Sequence, residues 1–312
     1  MGRIALLGAG ASAVALMPFV DSFTRADGDL GNGWDYTAGI WTISSGAAIA
    51  TPGTTGANLF QNPGFDSDTK WYKDTDWSIS GGVASKVAGA ANREIYQNTG
   101  DVGALGHKWY EWGFTVDPIT GGLIYAKTLH NFYPRFITTA GTYVMSGLNG
   151  YTLSGFEAAA ATECSIDNVS LKRIPDANIF ATRELGSPNF DISIPIVYGQ
   201  NGPCGIVACL DNKDTPANYL LCFLNLLGGT VALFKVTSGT YTLMFNTATG
   251  VSYADGRVLQ MVKSGNTVKV YYNAVQIGTN QDVTGLACVN NTRHGMFNSH
   301  PTNQLLSFTA NP

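Results

Sequence analysis

The chain has 312 residues, long for a single domain, and 45% of them are hydrophobic, enough to fill more than one core. Charged residues are only 13%, against roughly 25% in an average soluble protein. The net charge of −4 comes without any cluster of Lys or Arg, which excludes a nucleic-acid backbone as partner. With 37 Gly, 12 Pro and abundant Thr, Val and Tyr, the composition favours strands and tight turns over amphipathic helices.

Residues 1–18 are the most apolar stretch. Arg3, a short apolar run and small residues at Ala11 and Ala13 have the form of a secretory signal, but the run is too short and too rich in Gly to span a bilayer. Gly8, Gly10 and Ala13 also match a dinucleotide fingerprint, yet Pro18 stops any helix behind the glycines and no βαβ crossover follows. The segment is read as an apolar arm whose Ile4, Leu6, Leu7, Val14 and Leu16 dock into an assembly, because such an arm frays unless docked.

From Phe19 the pattern turns to strands. A short strand precedes a turn rich in Asp and Asn, in which Asp21, Asp27 and Asp29 either form a candidate calcium set or have the ordinary role of satisfying backbone amides. An alternating strand follows over 39–46. A second block in the same style predicts strands over 181–185, 190–197, 205–210, 219–227, 231–236, 241–245, 257–262, 267–272 and 304–308. Gly228-Gly229, Ser238-Gly239 and Asp255-Gly256 supply turns between them, the rhythm of an antiparallel sandwich. Five cysteines, Cys164, Cys204, Cys209, Cys222 and Cys288, lack metal-site spacing and are read as mostly buried free thiols.

The strings DSFTRADG (21–28), GNGW (31–34), WTI (41–43), ATR (181–183), LFKV (233–236), YTL (241–243) and VKVYYN (268–273) resemble the laminin-G or concanavalin-like domains of phage and secreted bacterial proteins. That resemblance implies a jelly roll over 19–55 and 175–312. Between these, ANLFQNPGFD (57–66), WSISGGVA (77–84) and CSIDNVSL (164–171) resemble the opening and closing strands of carbohydrate-binding-module-like β-sandwiches, which implies an inserted module over 56–174. The expected fold is therefore all-β: two antiparallel β-sandwiches, one inserted into a loop of the other, behind an apolar N-terminal arm. The resemblance also suggests a structural calcium near Asn62, Asp66 and Asp167, an oxygen-only set suited to that ion; no other cofactor is called for.

No catalytic constellation stands out. His107, His130, His294 and His300 have no metal spacing and read as loop or surface residues. The jelly-roll half offers a single glutamate, Glu184, where glycoside hydrolysis needs two facing acids. Binding chemistry fits better, since a sugar ring pairs an apolar CH face with a hydroxyl rim. Trp71, Tyr72, Phe132 and Tyr133 lie beside turn residues and are the glycan-binding candidates, while Trp109 and Trp112 have the strand positions of core residues. Taken with the resemblance, these features lead to a non-enzymatic structural protein on a tailed-phage particle, a capsid decoration, head fibre or tail fibre. Its expected partners are other virion proteins, its own copies in a homotrimer, and host-surface glycans. The alternative is a secreted carbohydrate-binding protein or an accessory module of a glycoside hydrolase.

Overall fold

The structure, a computed structural model, describes residues 18–37, 40–98, 107–128, 136–149, 153–199, 201–225, 229–248, 250 and 252–312. The arm positions Ile4, Leu6, Leu7, Val14 and Leu16 lie outside them. Among the described residues the fold is all-β, with antiparallel sheets of ten, six, five and five strands and one 3-10 turn at Asp176–Ile179.

Sheet membership changes twice along the chain. Every strand of the ten- and six-stranded sheets comes from residues 19–50 and 180–311, and every strand of the two five-stranded sheets from residues 72–174. At the two crossings Thr55 and Arg173 form an antiparallel bridge, with the Thr55 N–H donating to the Arg173 carbonyl at 2.8 Å. The first and last described strands, Phe19–Asp21 and Phe308–Asn311, pair with each other. Beside them the Asp21 carboxylate gathers Arg25 (2.6 Å), Trp34 Nε1 (2.9 Å), Asn32 Nδ2 (3.0 Å) and the Phe23 N–H (3.0 Å). Burial opposes its charge, but those donors outweigh it and hold the carboxyl below its ordinary value.

The larger sheets face each other over a core that includes Trp41, Ile192, Ile194, Ile206, Leu220, Leu233, Met261 and Val270. Phe190–Val197 alternates buried and half-buried positions, as a strand with one face on a core must. Cys204–Leu210 and Tyr219–Asn225 are instead buried at every position. The centre of the six-stranded sheet is covered on both faces, which is why this stretch reads as an uninterrupted apolar run. Its second cover comes from the middle of the chain: Trp109, Leu148 and Ile174 pack on Val207, Leu221, Phe223, Phe234 and Phe297.

Period-two alternation explains how one strand serves two cores. Along Lys108–Thr120, Tyr110, Trp112, Phe114 and Val116 fill the space between the two five-stranded sheets. Trp109 has the opposite parity and turns to the six-stranded sheet, 4.9 Å from Phe297 between ring centroids. Both tryptophans are core residues, each of a different core.

All five cysteines are buried free thiols. Burial pushes Cys164 and Cys209 up to about 12 and Cys204 and Cys222 higher still, so they stay protonated and unreactive. One histidine corrects the loop-or-surface reading made from sequence: His294 is fully buried in the strand Arg293–Asn298, whereas His300 lies in the loop that follows, 7% exposed. His294 packs on Phe190, accepts the Cys209 N–H at Nδ1 (3.1 Å) and bonds the Ser187 carbonyl through Nε2 (2.8 Å), so Nε2 carries the proton. No sequence spacing announced this, because the partners are 85 and 107 residues away.

Burial, the largest cause, lowers the His294 pKa from 6.5 to about 4. The unfolded ring therefore takes up a proton before the folded one, and stability present above pH 6.5 is lost as pH falls towards 4. Between about pH 7.5 and 5 the loss is about 2 kcal/mol, at about 1.4 kcal/mol per unit of pKa difference. Urea midpoints across that range should fall for the native chain and stay nearly level for His294→Gln. An equal slope in both proteins would refute the assignment.

Candidate functional site

One five-stranded sheet of the middle region runs in the order Phe136–Ile137, Ile124–Thr128, Leu153–Ala158, Arg93–Asn98, Tyr72–Lys73. Ile137, Ile124, Ala126, Phe156, Ala158 and Ile95 point into the core below. The residues between them point outward, and the register sets them in rows. Tyr72 pairs with Tyr96, and Tyr96 with Gly155. In the next row Glu94 pairs with Glu157, Glu157 with Tyr125, and Tyr125 with Phe136.

Aromatic rings therefore stand at both ends of an outward sheet face. Tyr72 and Tyr96 stack at 5.4 Å and 18°. Tyr125 and Phe136 meet edge to face at 5.0 Å. Tyr72 is 61% exposed and Phe136 47%, unusual for large apolar side chains in a chain that buries most of its aromatics. Five strands at about 4.8 Å spacing make the face about 19 Å wide, the length of a few sugar rings.

Gly155 keeps the floor of this face low. A Cβ there would lie 2.1 Å from the Ile95 carbonyl oxygen and 2.5 Å from Tyr96 Cα, so no side chain can rise beside Tyr96. Polar groups border the rings: Glu157 accepts from Asn92 Nδ2 at 3.1 Å, and Asp74 fixes the edge by accepting the Glu94 N–H at 2.8 Å. Apolar faces flanked by short polar side chains can hold a ligand with an apolar face and a hydroxyl rim.

The residues singled out from sequence fall unevenly on this map. Tyr72 is on the face. Trp71 is not, and that is a correction: it is 6% exposed, stacked on Phe60 at 5.1 Å, tilted on Phe65 at 4.9 Å, and its Nε1 donates to the Asn62 carbonyl. Neighbouring residues of an extended segment point to opposite sides, so Trp71 and Tyr72 cannot share one surface. Phe132 and Tyr133 lie outside the described residues. Tyr96, Tyr125 and Phe136 were missed. The signal for Tyr96 was the alternation in Arg93–Asn98, where Ile95 and Gln97 point inward and Tyr96 between them must point out.

The segments holding Asn62, Asp66 and Asp167 do meet, through the Val169 N–H on the Pro63 carbonyl at 3.2 Å. Their donors are engaged locally. Asn62 Oδ1 accepts the Asp66 N–H (2.8 Å) and its Nδ2 donates to the Ser67 carbonyl (2.6 Å), while Asp167 takes the N–H and Nδ2 of Asn168. Among the described residues no three His, Cys, Asp or Glu side chains are grouped to hold a metal.

Fold and site together define an antiparallel β-sandwich protein with a solvent-facing aromatic sheet surface. No protein-family model and no curated protein matches the chain. Solved structures with a similar arrangement include a carbohydrate-binding module from Bacillus subtilis, 10% identical over 78% of this chain and 91% of that one, with a TM-score of 0.27. A tail fibre protein from an Escherichia coli phage is 8% identical over 74% of this chain and 36% of that one, with a TM-score of 0.27. A xylan β-1,4-xylosidase from Bacillus halodurans is 12% identical, with a TM-score of 0.32; the match covers 43% of this chain and 29% of the xylosidase. At these identities and TM-scores none of them assigns a role to this chain.

Proposed function

We propose that this chain is a non-enzymatic, glycan-binding structural protein displayed on a tailed-phage particle. The observation that carries the binding part is the stacked Tyr72–Tyr96 pair on the outward sheet face, with Tyr72 exposed and Tyr96 half-buried beneath it. Burying such rings inside the fold would have stabilised it; leaving them in water is explained by a ligand that covers them. A pyranose supplies the CH face for the rings and hydroxyls for the bordering polar groups. In this reading residues 56–174 are a binding domain inserted into the jelly roll of residues 19–55 and 175–312, and the fold as a whole presents that domain rather than catalysing a reaction.

The phage setting draws on the sequence resemblance and on the cysteines. Five buried, unbridged thiols suit a chain that folds in the reducing interior of a cell, as virion proteins do before release. A secreted binder would more often bridge them. The arm of residues 1–18 would anchor the protein to other virion components.

Full-length protein applied to an array of bacterial-surface oligosaccharides is expected to retain at least one glycan, with retention competed by the same sugar free in solution. Retention of none, at protein concentrations up to about 100 μM, would remove the glycan-binding reading.

A further inference from the structure

The two aromatic pairs of the outward sheet stand in different rows of the register, and that offset sets a direction across the face. In one row Tyr72, Tyr96 and Gly155 lie side by side, with Lys127 at the next position. In the neighbouring row, two residues along the strands, come Glu94, Glu157, Tyr125 and Phe136. The rings therefore mark the two ends of a diagonal, and Glu94 and Lys127 hold positions on either side of it. Tyr96 and Tyr125 are two strand spacings and two residues apart, about 12 Å along that diagonal. No single pyranose reaches from one aromatic pair to the other.

The ground between the pairs belongs to Leu153–Ala158, the central strand of the sheet. Gly155 leaves it low, because the backbone of Ile95 and Tyr96 fills the place a Cβ would need. Glu157, two residues on, is half-buried, accepts from Asn92 Nδ2, and faces Glu94 directly across the ladder. Opposed carboxylates cost stability in a sheet, and neither supplies a donor. Hydroxyls laid over them would bond to both, and a sugar chain carries such hydroxyls along its whole length.

We infer that the face takes an extended run of polysaccharide chain, laid along the diagonal from Tyr72–Tyr96 to Tyr125–Phe136; this rests on the glycan-binding reading. One sugar stacks on each aromatic pair, and the sugars between them cross Gly155 with hydroxyls turned to Glu157 and Glu94. A terminal sugar or a short branch would use one pair and give the other no role. Affinity is thus spread over the chain and depends on its length.

Affinity gels holding xylan, hydroxyethyl cellulose or a bacterial O-polysaccharide show which polymers retard the full-length protein. Oligosaccharides of one to about six sugars, cut from a retarding polymer, are then titrated in a calorimeter. Affinity should rise at least about fivefold from the disaccharide to the tetrasaccharide and level off beyond the reach of the second pair. Phe136→Ala, at an exposed position, and Tyr125→Ala should each remove most of that rise while binding the disaccharide as the native protein does. A disaccharide bound as tightly as the longer chains would overturn the inference and leave the glycan-binding reading intact. So would a length dependence that survives both variants, or binding to short arrayed glycans but to no polymer. Retention by no polymer and no arrayed glycan would remove both.

Discussion

Asp176→Ala is expected to destabilise the protein by about 3 kcal/mol and to split one unfolding transition into two. Asp176 sits in the 3-10 turn just after the chain leaves the middle sheets, where Trp109 packs on the six-stranded sheet. Its Oδ2 accepts the Tyr241 hydroxyl at 3.0 Å. The single Tyr219 proton is shared between that oxygen at 3.1 Å and the Tyr241 oxygen at 2.6 Å. Trp109 Nε1 donates to Tyr241 at 3.0 Å, and Arg173 reaches Asp176 Oδ1 at 3.4 Å. Burial, with the neighbouring carboxylate adding to it, pushes both phenols far above their ordinary pKa, so they remain neutral donors. Removing the carboxylate leaves the Tyr241 proton without an acceptor and Tyr219 with Tyr241 alone, at the joint between the sheet pairs. Asp176→Asn keeps an acceptor and should cost less than half as much. Guanidinium unfolding followed by tryptophan fluorescence reads both effects; a native-like midpoint for Asp176→Ala would exclude the network as the fastening.

Lys86→Met should cost about 2–4 kcal/mol although it preserves nearly all of the side chain's volume. Lys86 is 2% exposed, an uncommon position for an ammonium. Its three donors are all used, on the carbonyls of Val87 (3.0 Å), Ala160 (3.1 Å) and Thr162 (3.1 Å). Residues 159–162 carry the chain from the outward sheet at Leu153–Ala158 to the other sheet at Glu163–Ile174. The ammonium thus pins the turn that holds the two sheets together. Methionine keeps the packing but supplies no donor, so the loss measures the bonds alone. Ala160 retains one partner, the Gly89 N–H at 2.9 Å, which keeps the cost below that of three orphaned carbonyls. Thermal melts of Lys86→Met and Lys86→Arg should both fall, with Met lower; an unchanged Lys86→Met would show that water replaces the ammonium at no cost.

Strand pattern was legible in the sequence wherever one face of a strand meets a core. Residues 190–197 alternate, and the fold uses that alternation as read. Where both faces are covered, as at Tyr219–Asn225, the apolar run revealed a strand but not what covered its second face. That cover depends on Trp109, whose parity within Lys108–Thr120 assigns it to a different core from Trp112. The candidate site was legible only through Tyr72. Trp71 beside it looked equally available, and only the packing of Phe60 and Phe65 removes it. Tyr96, Tyr125 and Phe136 belong to strands far apart in sequence, brought into rows by register that no local pattern encodes. His294 and Lys86 were invisible for a related reason: their partners are backbone groups supplied by distant turns.

The most direct test of the account is a calorimetric titration of an array-identified oligosaccharide into native protein, Tyr96→Ala and Tyr72→Ala. Tyr96 stands one strand in from the edge and Tyr72 covers it at the edge, so losing either ring removes about 1–1.5 kcal/mol of stacking. Binding about five- to thirteenfold weaker in Tyr96→Ala, with its thermal midpoint nearly unchanged, is the predicted result. Native affinity in both variants would contradict the assignment of this face as the binding surface.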